Sequence, residues 1–214
     1  MRSISTLIAL GALALGPAGA LQAQDPHFGF AMNLSFPMGD FRSHGIPATG
    51  TAGKQTEGFD AGFGGQFTVS FPLDQAVAIR MNFGGQNTSG SRTEAGYSNQ
   101  DLQHNIFSLG AEMQFFVGGN AARHRGTFLF LGPSADFERW DYTHNGYWDN
   151  YWDTSTYDRK SRLGATFGLG HSFGYSRSHF TMEFGFHKTL SGNDINKGEP
   201  PSSDFAKLSF GWVF

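Results

Sequence analysis

Ala206-Lys207-Leu208-Ser209-Phe210-Gly211-Trp212-Val213-Phe214 decides the fold, because its side chains change character with every residue. Ala206, Leu208, Phe210, Trp212 and Phe214 fall on one face, and Lys207 and Ser209 on the other. A period of two is the signature of a β-strand with unlike faces, whereas a helix would repeat every 3.6 residues. The same period recurs upstream seven times. Apolar faces collect Phe28, Phe30, Met32, Leu34 and Phe36; Phe59, Ala61, Phe63, Phe67, Val69 and Phe71; and Val77, Ile79, Met81 and Phe83. They continue with Phe107, Leu109, Ala111, Met113, Phe115 and Val117, then with Leu129, Leu131, Ala135 and Phe137 in a segment over 127–139. Leu163, Ala165, Phe167, Leu169 and Phe173 follow, and then Phe180, Met182, Phe184 and Phe186. In the 127–139 segment Phe128 to Leu131 is apolar on both faces, and Pro133 fits a bulge better than a regular ladder position.

The opposite faces carry Asn33, Ser35, Gln66, Thr68, Ser108, Thr166, Ser209 and many glycines. Small polar groups suit a narrow lumen and make a poor soluble exterior. The connections also alternate. The stretches 37–57, 87–101, 140–161 and 191–204 read as long polar loops, while Pro72-Leu73-Asp74-Gln75, 118–125 and Ser176-Arg177-Ser178 are short. Backbone groups facing hydrocarbon find no water, so an open sheet edge is excluded there. The expected fold is all-β: an eight-stranded antiparallel up-and-down transmembrane barrel, with both termini on the short-turn side.

Composition agrees with a single envelope domain. Charged residues make up 15% of the 214 positions, below the ordinary ~25%, and the 30 glycines are about twice the usual share. A net charge of −3 with no Lys/Arg run gives no footprint for nucleic acid. The absence of cysteine excludes disulfides and thiol chemistry. Met1-Arg2-Ser3, the apolar run to Leu15 and the small residues ending at Ala23 have the parts of a secretory signal. The expected division is a leader over 1–23, with Ala20 the alternative cleavage point, and a barrel over 24–214 bearing four extracellular loops.

The closing run, through Phe210, Trp212 and Phe214, resembles the C-terminal assembly signal of outer-membrane proteins, which the barrel-insertion machinery reads. With the leader, the eight strands and the loop asymmetry, the chain is similar to the small OmpA-type, OmpX-type and OmpW-type barrel families. That resemblance implies residence in the bacterial outer membrane and contact with lipopolysaccharide; the peptidoglycan binding of longer OmpA-type proteins is not implied.

Inward parity brings Arg80, Glu112, Asp136, Glu138, Arg162, Glu183, His187 and Lys207 into one lumen. An ion path or a catalytic cluster would need such groups. So would a charge network that fills and stiffens a barrel too narrow to conduct, and this second reading is preferred because eight strands leave little room beyond side chains. His171-Ser172 and Glu183 are the pieces nearest to a hydrolase, but adjacent strand residues point to opposite faces. Gly62-Phe63-Gly64-Gly65 and Gly168-Leu169-Gly170 lie within strands and are not phosphate loops. No cofactor, metal site or catalytic residue is expected.

The stretch from Trp140 to Lys160 interleaves Trp140, Tyr142, Tyr147, Trp148, Tyr151 and Trp152 with carboxylates and amides. Such a loop suits a surface glycan or a protein partner; an interfacial aromatic girdle running into a solvated tip fits it equally. The expected function is non-enzymatic: an envelope-structural or surface-interaction role carried by the loops. The alternative is a narrow barrel binding or passing a small apolar solute, and a lipid-modifying enzyme stands third.

Overall fold

The computed structural model describes residues 25–42, 44–46, 55–93, 99–145, 152–153, 157–174, 178–191 and 202–214. The leader expected over 1–23 lies outside them. Among the described residues eleven strands form: β1 (His27–Pro37), β2 (His44–Ile46), β3 (Gln55–Phe59), β4 (Gly62–Pro72), β5 (Val77–Thr93), β6 (Asn99–Asn120), β7 (Arg125–Asn145), β8 (Trp152–Asp153), β9 (Tyr157–Phe173), β10 (His179–Thr189) and β11 (Phe205–Val213). A one-turn helix α1 (Gly39–Arg42) follows β1, and a 3-10 turn (Ala121–Arg123) joins β6 to β7.

Eight of these strands make the wall, in the order β1-β4-β5-β6-β7-β9-β10-β11, every neighbour antiparallel. The ring closes where β1 meets β11, from Gly29 opposite Val213 to Pro37 opposite Phe205. No sheet edge is left open at membrane depth, as hydrocarbon requires. Phe28, Phe30, Met32, Phe67, Phe107, Leu131, Phe167 and Phe184 stand exposed outside, while Asn33, Gln66, Arg80, Glu112 and Ser209 are buried inside. A closed ladder with an apolar exterior and a polar interior is a transmembrane barrel.

The structure corrects the loop limits. Nine to eleven residues cross a bilayer as a tilted strand, and β1, β4 and β10 have 11 each. By contrast β5 and β9 run to 17, β6 to 22 and β7 to 21. Much of 87–101 and 140–161 is therefore sheet, not loop: β5 and β6 stay paired from Asn87 opposite Asn105 to Thr93 opposite Asn99. Above the lipid both faces meet water, so hydrophobic alternation fades while the backbone ladder continues. The four tall strands are neighbours and rise together as one sheet beyond the membrane.

The expected strand of Phe59 to Phe71 is broken. Phe59 lies opposite Gly90, but Phe63 lies opposite Asn87, so four steps on one strand match three on the other. Asp60 and Ala61 form this bulge, both exposed. One extra residue exchanges the faces of everything beyond it. Phe59, expected outside, is buried in the lumen. Pro133 makes no bulge: the β6–β7 ladder lapses beside it and resumes with Gly110 opposite Ser134 and Met113 opposite Leu131, in one unshifted register. The missing proline N–H interrupts pairing without displacing the strand.

Candidate functional site in the barrel lumen

At mid-height the lumen is crossed by a clamp. Arg80, on β5, lies directly opposite Glu112 on β6. Its Nε and Nη2 donate to Glu112 Oε2 at 2.9 and 2.6 Å. Nη2 also donates to Glu183 Oε2 at 3.0 Å, and Nη1 donates to Glu183 Oε1 on β10 across the lumen. Thr166 Oγ1, on β9, donates to the other oxygen of Glu112 at 2.7 Å. Four strands are thereby linked through one guanidinium, whose rigid fork suits two carboxylates at once. The guanidinium also lies 5.1 Å from the ring centroid of Phe130 and 5.9 Å from that of Phe128.

Below the clamp, toward the short turns, the lumen is filled. Ala78, Phe116, Ala121, Phe128 and Phe130 form a buried cluster. His124, the left-handed residue ending the 3-10 turn at φ 46°, packs edge-on against Phe116 and Phe128 with centroids 5.4 and 5.6 Å away. Burial there, with the charge of Arg80 and then His27 adding to it, pushes the His124 imidazole down to about 3. It stands neutral in the plug.

Above the clamp is a cavity of about 60 Å3, lined by Asn33, Gln66, Asn82, Glu112, His187 and Lys207 among others. That volume holds a few waters at roughly 10–15 Å3 each. Lys207 Nζ donates to Gln66 Oε1 at 2.9 Å. Asp136 faces His187 Nε2 at 3.1 Å and accepts from Ser108 Oγ at 2.7 Å and Ser134 Oγ at 3.3 Å. Both hydroxyls bond the carboxylate and neither bonds the imidazole, so no serine is activated by a base here. His171 and Ser172 sit on opposite faces: the ring meets Thr127 Oγ1 at 2.8 Å, and the serine is buried inside.

The outward mouth is closed by a second aromatic cluster of Phe41, Phe59, Leu102, Ile106, Trp140 and Phe205. Helix α1 folds over the mouth and drives Phe41 inward to 0% exposure. Phe41 stacks on Phe59 at 4.8 Å, and His104 lies 3.9 Å from Trp140, ring to ring. Trp140 Nε1 donates to Glu138 Oε2 at 3.3 Å, and that oxygen also faces Arg162 Nε at 3.3 Å. Trp140, expected on an interaction loop, is thus corrected to a lumen residue at 1% exposure. Inward parity, which placed Asp136 and Glu138, continues two residues further because β7 does.

All eight charged residues expected inside line this lumen. Tyr142 lies on β7, and Trp152 on β8 pairs with Asn145. Tyr147, Trp148 and Tyr151 lie outside the described residues. Trp212 and Phe214 are exposed on the outer surface beside Phe210. The lumen aromatics Phe41, Phe116, Phe128 and Phe130 were missed as a group. Parity signals three of them: Phe116 follows Glu112 and Gln114 on the inward face of β6, and Phe128 and Phe130 precede Asp136 on that of β7.

No known family matches the chain by sequence, and no curated protein is similar to it at a significant level. Solved structures resemble it in fold. Neisserial surface protein A is 10% identical, with 88% of this chain and 95% of that one covered and a TM-score of 0.49. The outer membrane protein OprG from Pseudomonas aeruginosa is 10% identical over 90% and 97%, also at 0.49. Ail, the attachment invasion locus protein of Yersinia pestis, is 10% identical over 88% and 97%, at 0.44. The class of the protein follows from its own geometry: a closed antiparallel barrel with a lipid-facing exterior is the architecture of the bacterial outer membrane, and this chain is an outer-membrane β-barrel.

Proposed function

We propose that this barrel is a non-enzymatic, non-conducting stake, which holds the tall sheet of β5, β6, β7 and β9 and its loops beyond the membrane for surface contact. The observation that carries this reading is the double closure of the lumen. An aromatic plug fills one end, an aromatic cap the other, and a three-member charge clamp crosses between them. The cavity above the clamp, of about 60 Å3, falls far short of the ~300 Å3 at which small-molecule sites begin. The solute-passing alternative has the same cavity against it. Exposed Trp212 on β11 and Phe214 just after it are where an insertion machinery would read the strand.

Planar-bilayer recording of the purified protein tests the sealed state. No unitary current is expected from wild type, and F41A/F59A/W140A, which removes the cap, is expected to stay closed because the clamp and plug remain. Regular ohmic steps from wild type would sink the proposal. Deleting 146–151 should abolish adhesion of cells to immobilised glycan or host protein if those loops carry the contact.

A further inference from the structure

The floor of the barrel, at the short-turn end, collects three imidazoles from three elements. His27 opens β1, His179 opens β10, and His124 ends the 3-10 turn between β6 and β7. His27 Nε2 donates to Ala122 O at 3.0 Å, and its ring meets that of His124 edge-on at 5.9 Å. His124 is 1% exposed and His179 6%. Among the described residues no hydrogen bond reaches either ring nitrogen of His124 or Nδ1 of His179. Buried polar atoms are nearly always bonded. The His124 ring is instead held by packing, and it gives up no hydrogen bond by leaving.

The charges that act on this group are of one sign. His124 feels Arg80 of β5, His27 of β1 and His179 of β10, and His179 feels His27 and Arg125 of β7. Glu112 and Glu183 are engaged by Arg80, and Asp74, in the turn between β4 and β5, accepts from Ala76 N at 2.6 Å and Val77 N at 2.8 Å. The turn that carries His124 has a hinge at each root. It meets the β6–β7 ladder through a register shift between Val117 and Asn120, and glycines in the left-handed region flank it, Gly118 at φ 68° and Gly126 at φ 99°. A few such positions can absorb the backbone rotation of a moving segment. The turn is tied to the floor by Ala121 N, which donates to Gln75 O at 2.8 Å, and by the bond from His27 to Ala122.

We propose that this turn is an acid-released plug: protonation of His27, His124 and His179 drives the His124 ring from between Phe116 and Phe128 and swings the turn off the barrel floor about Gly118 and Gly126. Three cations gathered under Arg80 among phenylalanines repel one another, whereas water outside solvates each of them. Seated, the His124 imidazole is pushed down to about 3 by burial and then by the charges of Arg80 and His27; released, it protonates near 6.5. Between those values the released form binds more protons, so each unit of falling pH shifts the balance toward release by about tenfold. Above 6.5 this group has no bearing on the balance. The clamp stays closed above the plug, so release bares Phe116 and Phe128 to the periplasm without opening a pore.

The chain has no cysteine, so A121C places a single thiol at a plug position with 0% exposure. Its reaction with dithiodipyridine, which labels thiols in acid as well as at neutral pH, tests the proposal on the purified barrel in detergent. Dividing each rate by that of the heat-unfolded variant at the same pH removes the pH dependence of the thiol itself. The corrected rate should be low at pH 7 and rise about a hundredfold from pH 6 to pH 4, while circular dichroism keeps its β-sheet signal. A121C/H124N should lose most of that rise. A corrected rate that stays flat down to pH 4, that rises equally with H124N, or that rises only as the β-sheet signal disappears overturns the proposal. Hydrogen exchange of the wild-type protein covers the case in which A121C does not fold. Corrected for intrinsic exchange rates, peptides over 116–128 should lose protection between pH 7 and pH 5 while those over 205–213 keep it; no loss, or parallel loss in both, overturns the proposal. None of these results bears on the non-conducting barrel, which the bilayer recording tests separately.

Discussion

Arg80 concentrates the interior energetics in one side chain. It is the cation shared by Glu112 and Glu183, all three buried. Arg80→Ala would leave two buried carboxylates facing each other without the guanidinium that pairs them, a loss of about 3–5 kcal/mol. Urea unfolding in lipid vesicles should show it, and R80M/E112Q/E183Q should recover most of the loss by discharging the whole group. If R80A unfolds at the wild-type midpoint, the clamp is not what stiffens the barrel. His124 makes a second prediction. It is neutral in the fold down to about pH 3, whereas the unfolded chain protonates it near 6.5. Between those values the unfolded state binds more protons, so stability falls as pH drops from 6.5 toward 3 and is unaffected by this group above 6.5. Asn accepts the left-handed conformation at this position, so H124N should flatten the drop in unfolding midpoint between pH 7 and pH 4. An unchanged slope would assign the acid sensitivity elsewhere.

The bulge at Asp60 and Ala61 shows how one residue decides what an element contributes. It turns Phe59 from the lipid side to the mouth, where it stacks on Phe41 and lies 5.3 Å from Trp140. Deleting Ala61 would restore an unbroken strand and return Phe59 to the outside, at a cost of about 3–5 kcal/mol for an emptied aromatic site. In a background where Trp148, Trp152 and Trp212 are replaced by Phe, the emission of Trp140 should shift to the red as water enters. Unshifted emission would mean the cap does not depend on Phe59. The eight membrane-spanning segments were legible in sequence because lipid on one side and a polar lumen on the other impose alternation. Strand tops were not legible, since water on both sides removes the contrast. Nor was the bulge: Phe59 and Ala61 keep apparent phase with Phe63, and only cross-strand pairing reveals the extra residue. The lumen charges followed from parity alone, but their partners did not, because Glu183 meets Arg80 across 103 positions of chain.

At the scale of the molecule, the barrel is closed laterally by the β1–β11 ladder and lengthwise by its two aromatic clusters. Two of the contacts that hold it differ in when they can form. Hairpin ladders join neighbours in sequence, such as β4 with β5 and β9 with β10. The clamp instead joins β5 and β6 to β10, which face each other only after the ring has formed. This separation bears on the order of assembly. A half-finished sheet could zip its hairpins one by one, yet Arg80 would hold only Glu112 until the ring closed, and Glu183 would wait without its guanidinium. The step that seals the seam is therefore also the step that neutralises the interior, so an inserted but unsealed sheet is penalised twice, and the final commitment of this chain to the membrane is a single all-or-none event.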